Sequence, residues 1–418
     1  MTIRVFSEIG RLQRVLIHRP GFEIDRMVPS MMERLLFDDI LYGQQARSEH
    51  DSFRKVLEAA GVETLDPETL LAEVLEQEDV RGQLFADLER RFAVRRQLME
   101  RLERLAPKEL AVAMIAGVPA APDDRSRPRR FFELPPVPNY FFQRDPQVVF
   151  GTRVLLSSMA TDARAREPML ARRVFADHPA LQGYEDLFDL NEPGEPGMRR
   201  RPHLEGGDVL VPSDEILMVG LSERTDHQGI EALARYLKRS ETAFRYLLVV
   251  ELPAQRSYMH LDTVFTFIDE GLCLAYPPVI EPGGTEAGHV YRIDLEAPHL
   301  AYRVCDNLPS ALAELGMEIE LVPCGGKDLI DQQREQWTDG ANAFAIAPGV
   351  IAIYRRNRRT AEELSRRGWR VIEGEAVIDG REELFGHGPT LVTLFDNELS
   401  RARGGPRCMT MPLERAPV

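Results

Sequence analysis

Cys408 stands ten residues before the C-terminus, in Arg403-Gly404-Gly405-Pro406-Arg407-Cys408-Met409. The glycine pair allows close backbone approach to a ligand, or positive φ. Two arginines flank the thiol, and nearby positive charge favours the nucleophilic thiolate. An isolated cysteine is ordinarily a small buried apolar residue. The functional reading therefore rests on the partners the chain offers it.

His260 is one such partner, since a Cys with a distant His can serve as nucleophile and base. In His260-Leu261-Asp262 the spacing predicts a strand that turns both polar side chains to one face. A carboxylate beside an imidazole favours the protonated form, which a general acid needs. An ordinary His–Asp pair at a strand start is the competing reading. Further acids, Asp145, Glu205 and Asp208, stand on separate segments with Asp262. Buried acids are costly unless paired, so core packing explains them poorly. A metal is one occupant, but oxygen-rich sites usually draw their ligands from one loop, and a single His accompanies these acids. A planar cation fits better, because guanidinium offers N–H donors in a fixed fork that carboxylates grip. That grip would set its central carbon beside a thiolate.

Several elements must position these groups. Residues 12–18 read as a buried strand that Arg19-Pro20-Gly21 ends. Helices follow after Ser30 and over about 43–60, the second stopped by Gly61. Asp66-Pro67-Glu68 starts a largely helical stretch whose stripe runs through Leu84, Leu88, Phe92, Leu98, Leu102 and Leu105. Residues 118–138 are rich in Pro and Arg and read as an extended linker, so 67–130 reads as a helical insertion. Beyond Pro138, hairpins are predicted at 147–157, 209–219, 264–275 and 344–354, with helices between them. The recurrence suggests repeated units around a centre. In such a ring the loops ahead of each hairpin converge, and those loops hold Asp145, Glu205 with Asp208, His260 with Asp262, and Asp339 with Asn342.

Composition sets the outer limits. The net charge of −15 over 418 residues argues against nucleic acid and anionic membranes as partners. No secretory leader and no apolar run of transmembrane length is visible. Cys273, Cys305, Cys324 and Cys408 lack C-x-x-C spacing, which points away from zinc and disulfides and towards a cytoplasmic setting, with the first three as structural thiols. Arg199-Arg200-Arg201 reads as a solvated loop or subunit contact.

The sequence resembles the arginine deiminases of the guanidino-group-modifying superfamily. The resemblance runs from Ser7–Gly10 through His18–Gly21, Leu35–Ile40, Glu49–Asp51, Asn139 to Asp145, Glu205–Asp208, Ser222–Thr225 and His260–Phe265. It continues through Cys324–Gly326, Arg334–Asn342 and Arg403 to Met409. It implies a five-fold pseudo-symmetric α/β propeller (the pentein fold), a single catalytic domain over 1–418 with an α-helical insertion at 67–130. It implies hydrolysis of L-arginine to citrulline and ammonia through a covalent thiouronium, with no cofactor and no metal, in a cytoplasmic homo-oligomer (dimer or tetramer).

By that resemblance Cys408 is the nucleophile and His260 the general acid and base. Asp145 and Asp262 hold the guanidinium, and Glu205 orients His260. Asp208 is a further polar contact near the substrate. Arg164, Arg224 and Arg403 match positions that bind the α-carboxylate, with Arg166 the alternative to Arg164. Asn139 and Phe142 line the site. One departure is Gln143, where the family usually has Thr. Alternatives are a related guanidino-group enzyme acting on agmatine or methylated arginine or transferring the amidino group, and a non-catalytic arginine-binding homologue.

Overall fold

The computed structural model describes residues 2–92, 94–121, 131–192 and 201–418. The architecture is α/β. Its strands form six separate sheets among the described residues, and none closes on itself.

One motif recurs. Gln147–Phe150 pairs antiparallel with Arg153–Leu156, and Asp186–Asp189 then joins the second strand in parallel. Parallel partners need a crossover, here the helix Arg166–Asp177. Val209–Leu210 with Ile216–Leu221 and then Tyr246–Glu251 repeats the pattern. So do Phe265–Asp269 with Leu272–Ala275 and then Glu320–Pro323. Phe344–Ala347 with Val350–Tyr354 and then Thr390–Leu394 repeats it again. All four expected hairpins are therefore present. Apolar and β-branched residues fill them on both faces, as buried parallel strands require.

The chain ends make one more copy that no local pattern announces. Thr410–Arg415 pairs antiparallel with Leu12–Ile17, which pairs in parallel with Glu63–Leu65 after the crossover helix Gly43–Ala59. Gly61 follows that helix at φ +81°, as a C-terminal stop. The residues that follow the Cys408 loop, Thr410–Arg415, are thus a strand.

The helical stretch comprises Pro67–Val74, Glu78–Phe92, Arg96–Leu102 and Pro107–Ala116. Asp66 caps the first by accepting from the Glu68 N–H. Leu71, Leu84, Leu88 and Met114 share one hydrophobic cluster with Val149, Leu155 and Leu170 of the strand-bearing body. The expected linker begins and ends with the strand pair Val118–Pro119 and Phe132–Leu134. Residues 122–130, including the far end of the expected insertion, lie outside the described residues, as do Arg199 and Arg200. No helix of the described residues is long and apolar enough to cross a membrane.

Candidate active site

The polar groups converge because each sits immediately ahead of an antiparallel strand. The turns Pro138–Phe141, Gly206–Asp208 and Leu261–Thr263 are 3-10 helices that lead into strands. Asn342 precedes Phe344, and Cys408 precedes Thr410 in the same way. A tight turn before a strand directs its side chains off the end of the sheet. These ends enclose a cavity of about 20 Å³, lined by Asn139, Phe142, Asp145, Arg164, Glu205, Arg224, His260, Arg403 and Cys408. Nine of the eleven expected site residues thus line one cavity.

His260 is 2% exposed. Its Nε2 lies 2.9 Å from Glu205 Oε2, and its Nδ1 lies 3.7 Å from Asp145 Oδ1. Burial pulls the imidazole pKa down, but Asp145, Glu205 and Asp208 lift it to about 9. Burial works against the Glu205 charge too, yet His260 and two arginines hold its carboxyl at about 2. An imidazolium–carboxylate pair results. The expected same-face pairing with Asp262 is not what forms. Leu261–Thr263 is a 3-10 turn, so the strand period fails there, and Glu205 and Asp145 are the partners. Gly207 is needed at this point: a Cβ there would lie 2.5 Å from His260 Nδ1.

Ligand atoms of Asp145, Glu205 and His260 all lie within 4.8 Å of one another, the spacing of a possible cation cluster. These donors are already engaged, His260 with Glu205 at 2.9 Å and Asp145 with Arg164 at 2.5 Å.

Cys408 is 5% exposed, with Sγ 3.8 Å from Asp262 Oδ2. The flanking arginines do not lower its pKa on balance. Burial, together with Asp262, Asp145 and Asp339, pushes the thiol well above its ordinary pKa. Arg407 is spent on carboxylates, donating to Asp262 Oδ2 at 2.7 Å and to both Glu8 oxygens at 3.1 Å. Arg403 stacks over the Trp337 ring at 3.4 Å. The glycine pair serves close approach. A Cβ on Gly404 would lie 2.2 Å from the Phe142 ring, and one on Gly405 2.6 Å from Asn342 Oδ1. Positive φ falls instead on Arg403 (65°), with Leu36 (56°) and Asp339 (61°), the three non-glycine residues so placed among the described residues. Leu36 and Arg403 line the cavity, and such strain gathers at functional sites.

Asp145 and Asp262 are held alike. Asp145 Oδ2 accepts from Arg164 at 2.5 Å, and Asp262 Oδ2 from Arg407 at 2.7 Å. Oδ1 of each is buried with no hydrogen-bond partner. Each aspartate thus keeps one buried oxygen without a hydrogen bond, that of Asp145 lying 3.7 Å from His260 Nδ1. At the cavity wall, Arg403 has two buried guanidinium nitrogens without a hydrogen bond and Arg224 has one, its Nε, which lies 3.6 Å from Glu223 Oε1. Arg164 is occupied by Glu167 and Asp145. Arg166 instead donates to the Pro135 carbonyl.

Asp208 departs from the expected substrate contact. Its oxygens accept from Ser222 (2.7 Å), Thr225 (2.6 Å) and the Leu261 N–H (2.9 Å), tying the Arg224 turn to the His260 turn. Burial raises its carboxyl to about 7. Gln143 turns away from the cavity: its amide donates to the Tyr140 carbonyl at 2.5 Å, and Gln147 donates to it at 3.2 Å.

Against this geometry, the family model for arginine deiminase matches residues 33–415. The chain belongs to the arginine deiminase family. It is 38% identical to an arginine deiminase of Clostridium perfringens, over 99% of this chain and 98% of that one. It is 36% identical to one of Streptococcus pyogenes, over 100% and 98%. Two solved structures share the fold at low identity. One is an amidinotransferase from Microseira wollei (TM-score 0.53, 13% identical, covering 100% of this chain and 98% of that chain). The other is the N-terminal domain of ArgZ, solved in covalent bond with a reaction intermediate (TM-score 0.51, 15% identical, covering 96% and 98%).

For this arginine deiminase family member, sequence reasoning missed Asn342 as a site residue. Asn342 Oδ1 accepts from the N–H groups of Arg407 (3.0 Å) and Cys408 (3.1 Å), and its Nδ2 donates to the Asp262 carbonyl (2.9 Å). Its place ahead of a hairpin, like the four acids, was the available signal.

Proposed function

We propose that the chain hydrolyses L-arginine to L-citrulline and ammonia, with Cys408 as the covalent nucleophile. The observation that carries this reading is the pair of Oδ1 atoms, buried without a hydrogen bond, on Asp145 and Asp262, the two aspartates whose charges act most on the thiol. Unpaired buried carboxylate oxygens cost free energy unless a donor arrives. A guanidinium fork supplies such donors and sets its carbon towards Sγ.

The roles follow from charge. Sγ attacks the guanidino carbon as a thiolate, its proton having passed to a neighbouring carboxylate or to solvent. His260, protonated at neutral pH, gives its proton to the departing nitrogen, and the C–N bond breaks to release ammonia. The neutral imidazole then takes a proton from water as its oxygen attacks the thiouronium carbon. The C–S bond breaks, and the thiol and citrulline result. Glu205 orients His260 and stabilises its cation. Arg224 and Arg403, each with a buried nitrogen that lacks a hydrogen bond, receive the α-carboxylate, while Asn139 and Phe142 close the wall. Arg164 braces Asp145. The recurrent motifs surround the site as a five-fold pseudo-symmetric propeller in a single domain over 1–418, with the helices of 67–130 as an insertion.

A cavity of about 20 Å³ holds little more than one water. Arginine therefore enters by displacing part of the lining. The test is citrulline and ammonia release by purified protein, with arginine and agmatine side by side. Binding of arginine without citrulline would leave a binding protein. Equal turnover of both substrates would remove the carboxylate clamp.

A further inference from the structure

We propose that Arg407, anchored by Glu8, is a positioning residue for substrate capture: it binds one oxygen of Asp262 so that the other is held, ionised, towards the guanidinium. The proposal rests on the arginine-hydrolysis reading above.

The geometry is that of a fixed relay. Glu8 comes from the N-terminal segment, Arg407 from the nucleophile's loop and Asp262 from the general acid's turn. Arg407 is 1% exposed and Asp262 is fully buried. Arg407 Nε and Nη2 reach the two Glu8 oxygens at 3.1 Å each, Nη2 also reaches the Val209 carbonyl at 2.9 Å, and Nη1 reaches Asp262 Oδ2 at 2.7 Å. A planar fork satisfied on two sides has one orientation. It therefore fixes the Asp262 carboxylate and consumes Oδ2, leaving Oδ1 bare.

Charge gives the relay a second effect. Asp262 faces Arg407, His260, Asp145, Arg144 and the Cys408 thiol. Burial raises its carboxyl, and Arg407 is the largest influence bringing it back down. Without that cation Asp262 takes up a proton at a higher pH. A neutral acid grips a guanidinium poorly, so capture suffers first. Once substrate is bound, its own charge favours the carboxylate, and the later steps suffer less. Glu8 acts one step further back, by holding Arg407. Its carboxyl is kept at about 2, burial being outweighed by Arg407 and Arg144.

The test uses full-length wild type, Arg407→Met, Arg407→Lys and Glu8→Gln, with kcat and KM for arginine measured from pH 5 to 9. Wild type without citrulline release sinks the deiminase reading. Given an active wild type, Arg407→Met is expected to raise KM most at the acid end of the range, about tenfold for each unit by which the Asp262 pKa stands above the assay pH. The acid limb of kcat/KM should move to higher pH, and kcat should change less than KM. Arg407→Lys should recover part of the loss, and Glu8→Gln should shift the same limb by less. Should Arg407→Met fail to fold, Glu8→Gln decides by the same two readouts. Folded variants whose pH profiles superimpose on wild type, or whose loss falls wholly on kcat, overturn the proposal.

Discussion

The Cys408 sulfur lies 3.8 Å from Asp262 Oδ2, an oxygen that already carries the 2.7 Å ion pair with Arg407. A thiol so placed looks into negative charge that is only partly neutralised. It stays protonated in the free protein, because burial, Asp262, Asp145 and Asp339 all oppose the thiolate. The incoming cation is then the missing activator.

This sets the first expectation. Alkylation of Cys408 by a small neutral reagent should be slow up to pH 8. A bound, unreactive guanidinium compound that leaves Sγ exposed should lower the thiol pKa. The measurement is the pH dependence of alkylation with and without that compound, in a protein with Cys273, Cys305 and Cys324 replaced by serine. An unchanged titration would refute substrate-assisted ionisation.

Cys408→Ala should abolish citrulline formation and retain arginine binding. The carboxylate oxygens and arginines that hold the substrate are all on other residues. Calorimetry gives the binding, and a radiolabelled assay gives the turnover. Residual turnover at the wild-type rate would remove Cys408 from the chemistry.

Glu205→Gln removes one of the charges that lift His260 to about 9. The folded imidazole pKa falls, so the proton needed by the leaving nitrogen is lost at lower pH. The alkaline limb of kcat should move downward, and kcat itself should drop on the order of a hundredfold, the scale of general acid catalysis. A kcat–pH profile identical to wild type would contradict the pairing seen at 2.9 Å.

Arg224→Met should weaken arginine far more than agmatine. A charge-assisted hydrogen bond contributes about 1.5–3 kcal/mol, or roughly tenfold to a hundredfold in kcat/KM. Agmatine has no carboxylate to lose. Parallel losses for both substrates would show that Arg224 serves the fold and not the substrate's tail.

Asn342→Ala leaves the N–H groups of Arg407 and Cys408 and the Asp262 carbonyl unpaired in a buried place. Each orphaned group costs about 1–3 kcal/mol unless water enters. Urea unfolding should register a loss of about 3 kcal/mol, and turnover should fall with it. Unaltered stability would mean that the cysteine loop is held elsewhere.

How much was legible beforehand depends on the range of the cause. The four hairpins were visible because period, turn residues and apolar runs are local, as in Phe344–Ala347 and Val350–Tyr354. Asp145, Glu205, His260, Arg224 and Cys408 were legible as chemistry-bearing types in a resembling order. The strand Thr410–Arg415 was not, because its partner Leu12–Ile17 lies at the other end of the chain. The His260–Asp262 relation was misread because a 3-10 turn replaces the strand there. The arginines beside Cys408 were misread as activators, because their long side chains lead Arg407 to Glu8 and Arg403 to Trp337.

Sequence by itself determined the cast: a thiol between glycine and methionine turns, an imidazole, four acids and a set of arginines, with the family they belong to. Local composition and order suffice for that. Only the tertiary structure decided which charge faces which. It paired Glu205 with His260, gave one oxygen of Asp145 to Arg164 and one of Asp262 to Arg407, and left the other oxygen of each without a hydrogen bond. Those choices depend on distances of a few ångströms between residues far apart in the chain. In a buried site, such distances set both the ionisation of each group and the shape of what it can bind.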